Sequence, residues 1–292
     1  QDWAYYLLSQ IFIIFSFVAI FKLAKEFLKN ETYALISVFL LEGIYFYNFT
    51  SPEFNVNICQ IPFWSLTVYY SWQSFKNNKT HSWVLLGLFA GLGVLSKYLF
   101  IYLLIGIKFF FIYHLKKNKQ FNFKYLIPII VFLLVLSPHL KWLMDNDYRT
   151  IAYGLERTSL ETSTFINHFI YPIKFILKQA GVILPFFILL SLILKNFKFK
   201  LKQHDEKSIF LIFITFAPFL LMFITSLVLG ANIRTMWMTP FYLFFGLFFI
   251  YHFKANINLN FLKRFIFCFL FIFILSPATY LYISLSKDNK RT

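Results

Sequence analysis

Charge is scarce in this chain. Only 14% of its 292 residues are Asp, Glu, Lys or Arg, and just 12 are acidic. A soluble domain carries about 25% charged residues, because it must coat its surface with polar groups. With 59% hydrophobic residues and a mean hydropathy of +0.66, a water-soluble globule of this length cannot hide its apolar surface. A cytoplasmic enzyme and a disordered chain are both excluded. Cysteine is nearly absent too. Cys59 and Cys268 lie far apart in apolar runs without a CxxC pattern, so a disulfide scaffold and thiol redox chemistry drop out. Neither a Walker sequence nor a GxGxxG is present, which removes the phosphate loops of common nucleotide sites. The period-two alternation of a porin-type barrel is missing, and no signal-like n-region follows Gln1.

What the chain does have is long, continuous apolar runs. A spanning helix needs about 20 residues. Ten apolar segments stand out, near 3–21, 32–49, 57–74, 82–96, 98–115, 124–140, 172–194, 208–229, 236–252 and 263–285, the fourth of them short for a span. The expected fold is all-α: a polytopic transmembrane helical bundle of about ten spans, one domain over residues 1–292. The fourth and fifth segments abut at Ser96–Lys97, as a tight hairpin or one broken helix. A single long connection, residues 139–171, reads as a lid, since long loops in compact folds are often binding segments.

The net charge is +16. In a membrane protein this excess belongs to cytoplasmic loops, and no nucleic acid partner is expected. Alternate loops divide the basic residues unevenly. Lys22, Lys25, Lys29, Lys76, Lys79, Lys116, Lys117, Lys119, Lys124, Lys195, Lys198, Lys200, Lys202, Lys207, Lys254, Lys263 and Arg264 make 17 on one side. Lys97, Lys141, Arg149, Arg157 and Arg234 make five on the other. The positive-inside rule puts the first set in the cytoplasm and both chain ends outside. The inner loops are short connectors, and the outer ones carry the mixed-sign, aromatic and amide-rich residues. Chemistry is therefore expected outside. Nucleotide sugars are absent there, so an energised donor must be carried by lipid.

Four stretches then resemble the GT-C glycosyltransferases, in the bacterial branch related to protein O-mannosyltransferases and the lipid A aminoarabinose transferase. TSPEFNVNICQIPFWSLTVYY (50–70) is similar to an outer turn in which an acidic residue opens the next helix. WVLLGLFAGLGVLSKYLFIYLL (83–104) resembles a Gly-rich helix ending in Ser-Lys-Tyr. PIIVFLLVLSPHLKWLMDNDYRTIAYGLERT (128–158) is similar to the Pro-ended helix that leads into the long outer loop, and ANIRTMWMTPFYLFFG (231–246) to a later Arg…Trp…Pro helix start. The resemblance implies transfer of a sugar, with inversion, from a polyprenyl-phosphate donor to a lipid, glycan or protein acceptor. It places this at the outer face of a bacterial cytoplasmic (inner) membrane. The family's acidic motif sits in its first outer loop. Gln1-Asp2-Trp3 resembles the start of the second helix, so the catalytic carboxylate is expected upstream of Gln1. Asp2 is not given that role.

The candidate binding residues are Lys97, Arg149, Arg157, Arg234 and Glu53. A Lys at the outer end of a helix is a point charge for a phosphate, although snorkelling explains it as well. Arg149 and Arg157 can grip phosphate bidentately, or pair with Asp145 or Glu156, and Arg234 is either a carrier-phosphate contact or an interfacial anchor with Trp237. Glu53 either lines the site or sits at a helix N-terminus, where a carboxylate suits the dipole. Glu42, inside an apolar run, is read as a structural polar contact. Trp237 suits the interfacial aromatic belt. No cofactor is expected. A divalent metal stays open without support, since His139 and His168 belong to no ligand motif. The competing readings are a transporter or flippase for a lipid-linked or anionic substrate, and a noncatalytic membrane scaffold. Transporters favour inverted repeats, which this sequence does not show.

Overall fold

The computed structural model describes residues 2–119, 121–158, 164–198 and 205–286. Lys200 and Lys202 of the basic set, and residues 159–163 of the long connection, lie outside the described residues. Among the described residues the chain is helical, without a strand; Leu194 and Ile257 form an isolated bridge. In chain order the helices are α1 (Asp2–Leu28), α2 (Glu31–Phe39), α3 (Val56–Cys59), α4 (Ile61–Asn77), α5 (Thr80–Ser96), α6 (Ile101–Asn118), α7 (Ile127–Asp145), α8 (Arg149–Glu156), α9 (Asn167–Ser191), α10 (Glu206–Leu229), α11 (Phe245–Phe253) and α12 (Leu262–Leu285).

Among the described residues, six stretches are long and apolar enough to cross a membrane: Trp3–Leu28, Tyr98–Lys117, Phe123–Asp145, Asn167–Ser191, Glu206–Leu229 and Leu259–Leu285. A seventh is a bent pair, Thr235–Tyr242 with Phe245–Asn256, broken by 48°. This is a multi-pass helical membrane protein. The expected ten exceeds this number by three segments, and each is short. After α2 the chain tightens into 3₁₀ turns at Leu40–Gly43 and Tyr45–Tyr47. Helices α4 and α5 have 17 residues each. Such a helix rises about 26 Å at 1.5 Å per residue, less than a hydrocarbon core of about 30 Å.

In a membrane, helices gain little from hiding apolar surface from one another, so close backbone approach matters more. Helix α5 meets α7 through Gly87 and Gly91, four apart on one face. A Cβ at Gly87 would lie 2.5 Å from the Pro128 carbonyl oxygen, and one at Gly91 would lie 2.7 Å from Val135. Gly246 is tighter still, because a Cβ there would come within 1.8 Å of the Ser37 carbonyl oxygen on α2. Around these contacts, Trp64 of α4 packs between Phe100 and Phe241 at ring distances of 5.3 and 5.0 Å.

The connections gather at two ends. At one end Glu26 of α1 takes the Trp72 indole N–H at 2.7 Å and the Gln73 amide at 2.6 Å, both from α4, and pairs with Lys76 at 2.7 Å. Lys207 of α10 donates to the Glu26 carbonyl at 3.0 Å, and His114 of α6 meets Glu206 of α10 at 2.7 Å. The loop at Lys124 joins the same end by donating to the Asn78 carbonyl at 2.9 Å. The other end holds residues 48–60, Lys97, α8 and residues 230–238. Lys76, Lys124 and Lys207 of the basic set thus lie at one end.

Two boundaries differ from the sequence reading. Helix α7 runs on to Asp145 and α9 starts at Asn167, so the non-helical part of 139–171 shrinks. Pro138 does not stop α7. It lacks the N–H that would bond the Leu134 carbonyl, and the Ser137 hydroxyl donates to that carbonyl instead, at 2.8 Å. The connection itself contains α8, exposed along most of its length.

Candidate functional site

The site is built on the turn that enters α3. Tyr5, Ser9 and Gln10 of α1 hold this turn by its backbone. The Tyr5 hydroxyl donates to the Phe54 carbonyl, the Ser9 hydroxyl to the Ser51 carbonyl, and the Gln10 amide reaches the latter at 3.2 Å. Asn55 then caps α3, its side-chain oxygen accepting from the N–H groups of Asn57 at 2.8 Å and Ile58 at 3.4 Å. Asn57 is thereby fixed in the first turn and is only 4% exposed.

Lys97 arrives from the other side. Helix α5 stops at Ser96, whose hydroxyl turns back to the Gly93 carbonyl at 2.6 Å. Lys97 is extended, with φ −166° and ψ 131°, and the chain reverses there into α6. The Ser96–Lys97 junction is therefore a hairpin between α5 and α6. Their far ends meet again at Tyr125, which touches Trp83 of α5 at 5.2 Å and Phe111 of α6 at 4.9 Å. At the reversal the Lys97 ammonium donates to the side-chain oxygen of Asn57 and stands 5.4 Å from the centre of the Trp237 ring. Among the described residues no carboxylate pairs with it. Burial pushes Lys97 down to about 7, and the nearby Arg157 guanidinium adds to the shift.

Neighbouring residues fix the frame. The Tyr98 hydroxyl lies 2.6 Å from His139 Nε2 and 2.6 Å from the Thr150 hydroxyl, tying the reversal to α7 and α8. Arg157, at the end of α8, donates to the Tyr153 hydroxyl and lies 5.3 Å from that ring. The segment after α8 is held by the Asn232 N–H, which donates to the Thr158 carbonyl at 2.9 Å.

The five sequence-derived residues fall out unevenly. Lys97 and Arg157 are close enough for their charges to act on each other. Arg149 begins α8 and Arg234 precedes the 3₁₀ turn Thr235–Tyr242; both are exposed, and neither is tied to Lys97 by a contact. Glu53 is half-buried in the turn and does not open a helix, because the cap is Asn55, two residues on. His139 stacks on Trp142, and His168 Nδ1 lies 3.0 Å from the Leu227 carbonyl. Among the described residues no three His, Cys, Asp or Glu side chains gather as a metal site. Glu42 lines an apolar cavity of about 340 Å³ with Gly181, Pro185, Ile272, Leu275 and Ser276.

Asn57 is the residue that sequence reasoning missed. Its signal is faint: a second asparagine two places after a capping one, with nothing in the spacing to join position 57 to position 97. Lys174 and Lys178 stand exposed, one turn apart, inside the long apolar helix α9.

The fold and site define a multi-pass membrane protein with a half-buried cation, held by neutral partners, at the end opposite its lysine-rich loops. Residues 1–142 match the model of the family described as dolichyl-phosphate-mannose-protein mannosyltransferase. The match runs from the start of α1 into α7, just under half of the chain, and includes the Asn57–Lys97 pair. No curated protein and no solved structure matches this chain.

Proposed function

We propose that the protein transfers a sugar from a polyprenyl-phosphate donor to an acceptor at the outer face of the cytoplasmic membrane. The match over residues 1–142 supports the reaction class. The single structural observation that carries the site assignment is Lys97, a half-buried ammonium without a carboxylate partner among the described residues. The lysine-rich loops at the opposite end support the outer face. Sugar, acceptor and membrane face are parts of this proposal.

In the reaction an acceptor oxygen bonds to the anomeric carbon and loses its proton to a base. The bond between that carbon and the phosphate oxygen breaks, and its electron pair leaves with the lipid phosphate. Charge on the phosphate grows as the bond breaks. A fixed cation beside that oxygen is then a stronger partner in the transition state than in the ground state. Lys97 fills this role, with Arg157 as a second cation from α8. Arg149 and Arg234 are proposed as outlying phosphate contacts, and Glu53 as a wall of the sugar pocket.

The test is donor discharge by the purified full-length protein, supplied with a labelled polyprenyl-phosphate sugar and membrane extract as acceptor. The expected result is loss of donor, release of polyprenyl phosphate and label in a new product. Movement of intact donor across vesicles without discharge would establish the transporter reading instead.

A further inference from the structure

We propose that Asn57 and Trp237 are positioning residues that hold the Lys97 ammonium for the donor phosphate without neutralising it. This rests on the reading of Lys97 as the donor-phosphate contact, and asks how a long, flexible side chain stays in place for that task.

A lysine has four rotatable bonds, and fixing it costs side-chain entropy. Proteins commonly anchor a buried ammonium with a carboxylate, but that partner cancels the charge a phosphate needs. The hosts here are of another kind. Asn57 offers an amide oxygen, an acceptor with a dipole and no net charge. Trp237 offers a ring face, whose quadrupole attracts a cation and likewise carries no charge. Together they hold the ammonium at a defined point and leave its positive charge available.

Both hosts are themselves held. Asn57 is buried and pinned by the Asn55 cap. Trp237 belongs to the 3₁₀ turn Thr235–Tyr242, against which α3 packs. That turn is moored by the Tyr47 hydroxyl donating to the Thr239 carbonyl, and by Tyr242 donating to Gln179 of α9 at 2.7 Å. The cation and its two hosts thus come from three separate stretches of chain and meet only in the folded bundle. Such preorganisation lets a charge act at the moment of bond breaking without first being moved.

The experiment compares Asn57→Asp with Asn57→Leu in the full-length protein, reading kcat/KM for donor discharge and thermal stability. Asp has nearly the shape of Asn and still accepts the lysine hydrogen bond, but it adds the cancelling charge. Leu removes the acceptor and adds no charge. The expected result is a loss of about 10²-fold for Asn57→Asp, as for removal of one electrostatic stabiliser, with melting unchanged and a smaller loss for Asn57→Leu. In a Lys97→Met background, Asn57→Asp should cause no further loss. A purely structural Asn57 gives the reverse order, because the near-isosteric Asp is then the milder change; that order overturns the proposal. So does an Asn57→Asp loss that persists undiminished without Lys97. Should the Asn57 variants fold poorly, Trp237→Phe against Trp237→Leu gives a second reading. Phe keeps the ring face and should retain more kcat/KM, and equal losses reject the role. Lys97→Met with normal kcat/KM removes the donor-phosphate reading itself, and the positioning role with it. Loss at Lys97 with the wrong order at Asn57 removes the positioning role alone.

Discussion

Replacing Lys97 by Met in the full-length protein should lower donor turnover by about 10²–10³-fold, equivalent to about 2.7–4 kcal/mol of transition-state stabilisation. Methionine keeps the length and most of the apolar stem. The lost group is the ammonium alone, so melting should change little. The reason to expect so large an effect lies in the surroundings. Lys97 is half-buried at the reversal between α5 and α6, where its charge is poorly screened by water. A snorkelling lysine at a helix end would point to water and headgroups, and its removal would hardly move the rate. A companion change at Arg234, which is exposed, should cost less than the change at Lys97. Steady-state discharge kinetics for the two variants check this order. Equal, small effects would return both residues to the class of interfacial anchors.

The pH dependence of kcat/KM should show an alkaline limb near pH 7. Burial, helped by the Arg157 guanidinium, lowers Lys97 to about 7. Below that pH the free protein carries the ammonium and can take up the anionic donor. Above it the neutral amine dominates, and the competent fraction falls about tenfold per pH unit, a drop approaching 10²-fold by pH 9. Bound donor favours the charged form, so the limb in kcat should lie at higher pH than the limb in kcat/KM. Arg157→Gln removes one cause of the depression and should move the kcat/KM limb upward, whatever it does to the maximum rate. Lys97→Arg keeps a charge that does not titrate in this range and should abolish the limb. A limb that stays in Lys97→Arg belongs to another group.

Much of this fold can be read from composition and charge, because a bilayer imposes strict rules on both. Helicity and multiple spans follow directly. The number of spans does not, since hydropathy cannot tell a full crossing from a short helix. Residues 32–49 read as one apolar run, yet the chain breaks into 3₁₀ turns after Phe39. Pro138 misled in the other direction, because a local serine hydroxyl repairs the gap it leaves in α7. At the site, Lys97 was visible as a rare charge between apolar runs. Glu53 was misjudged by two residues, because both it and Asn55 suit a helix start and only the fold shows which one caps. Asn57 was hidden for a deeper reason. Its role depends on a contact across 40 residues, and a polar residue in a polar turn carries no local mark of it.

The proposed reaction turns on a lipid phosphate, and comparing two ligands that differ only in that group tests it most directly. The measurement is the affinity of the purified full-length protein, in nanodiscs at pH 6.5, for a polyprenyl phosphate and for the polyprenol of the same chain length. The expected result is a preference for the phosphate of about 10²-fold, in line with one well-placed electrostatic contact, that collapses in Lys97→Met. Equal affinity for the two lipids, or a phosphate preference that survives unchanged in Lys97→Met, would contradict it.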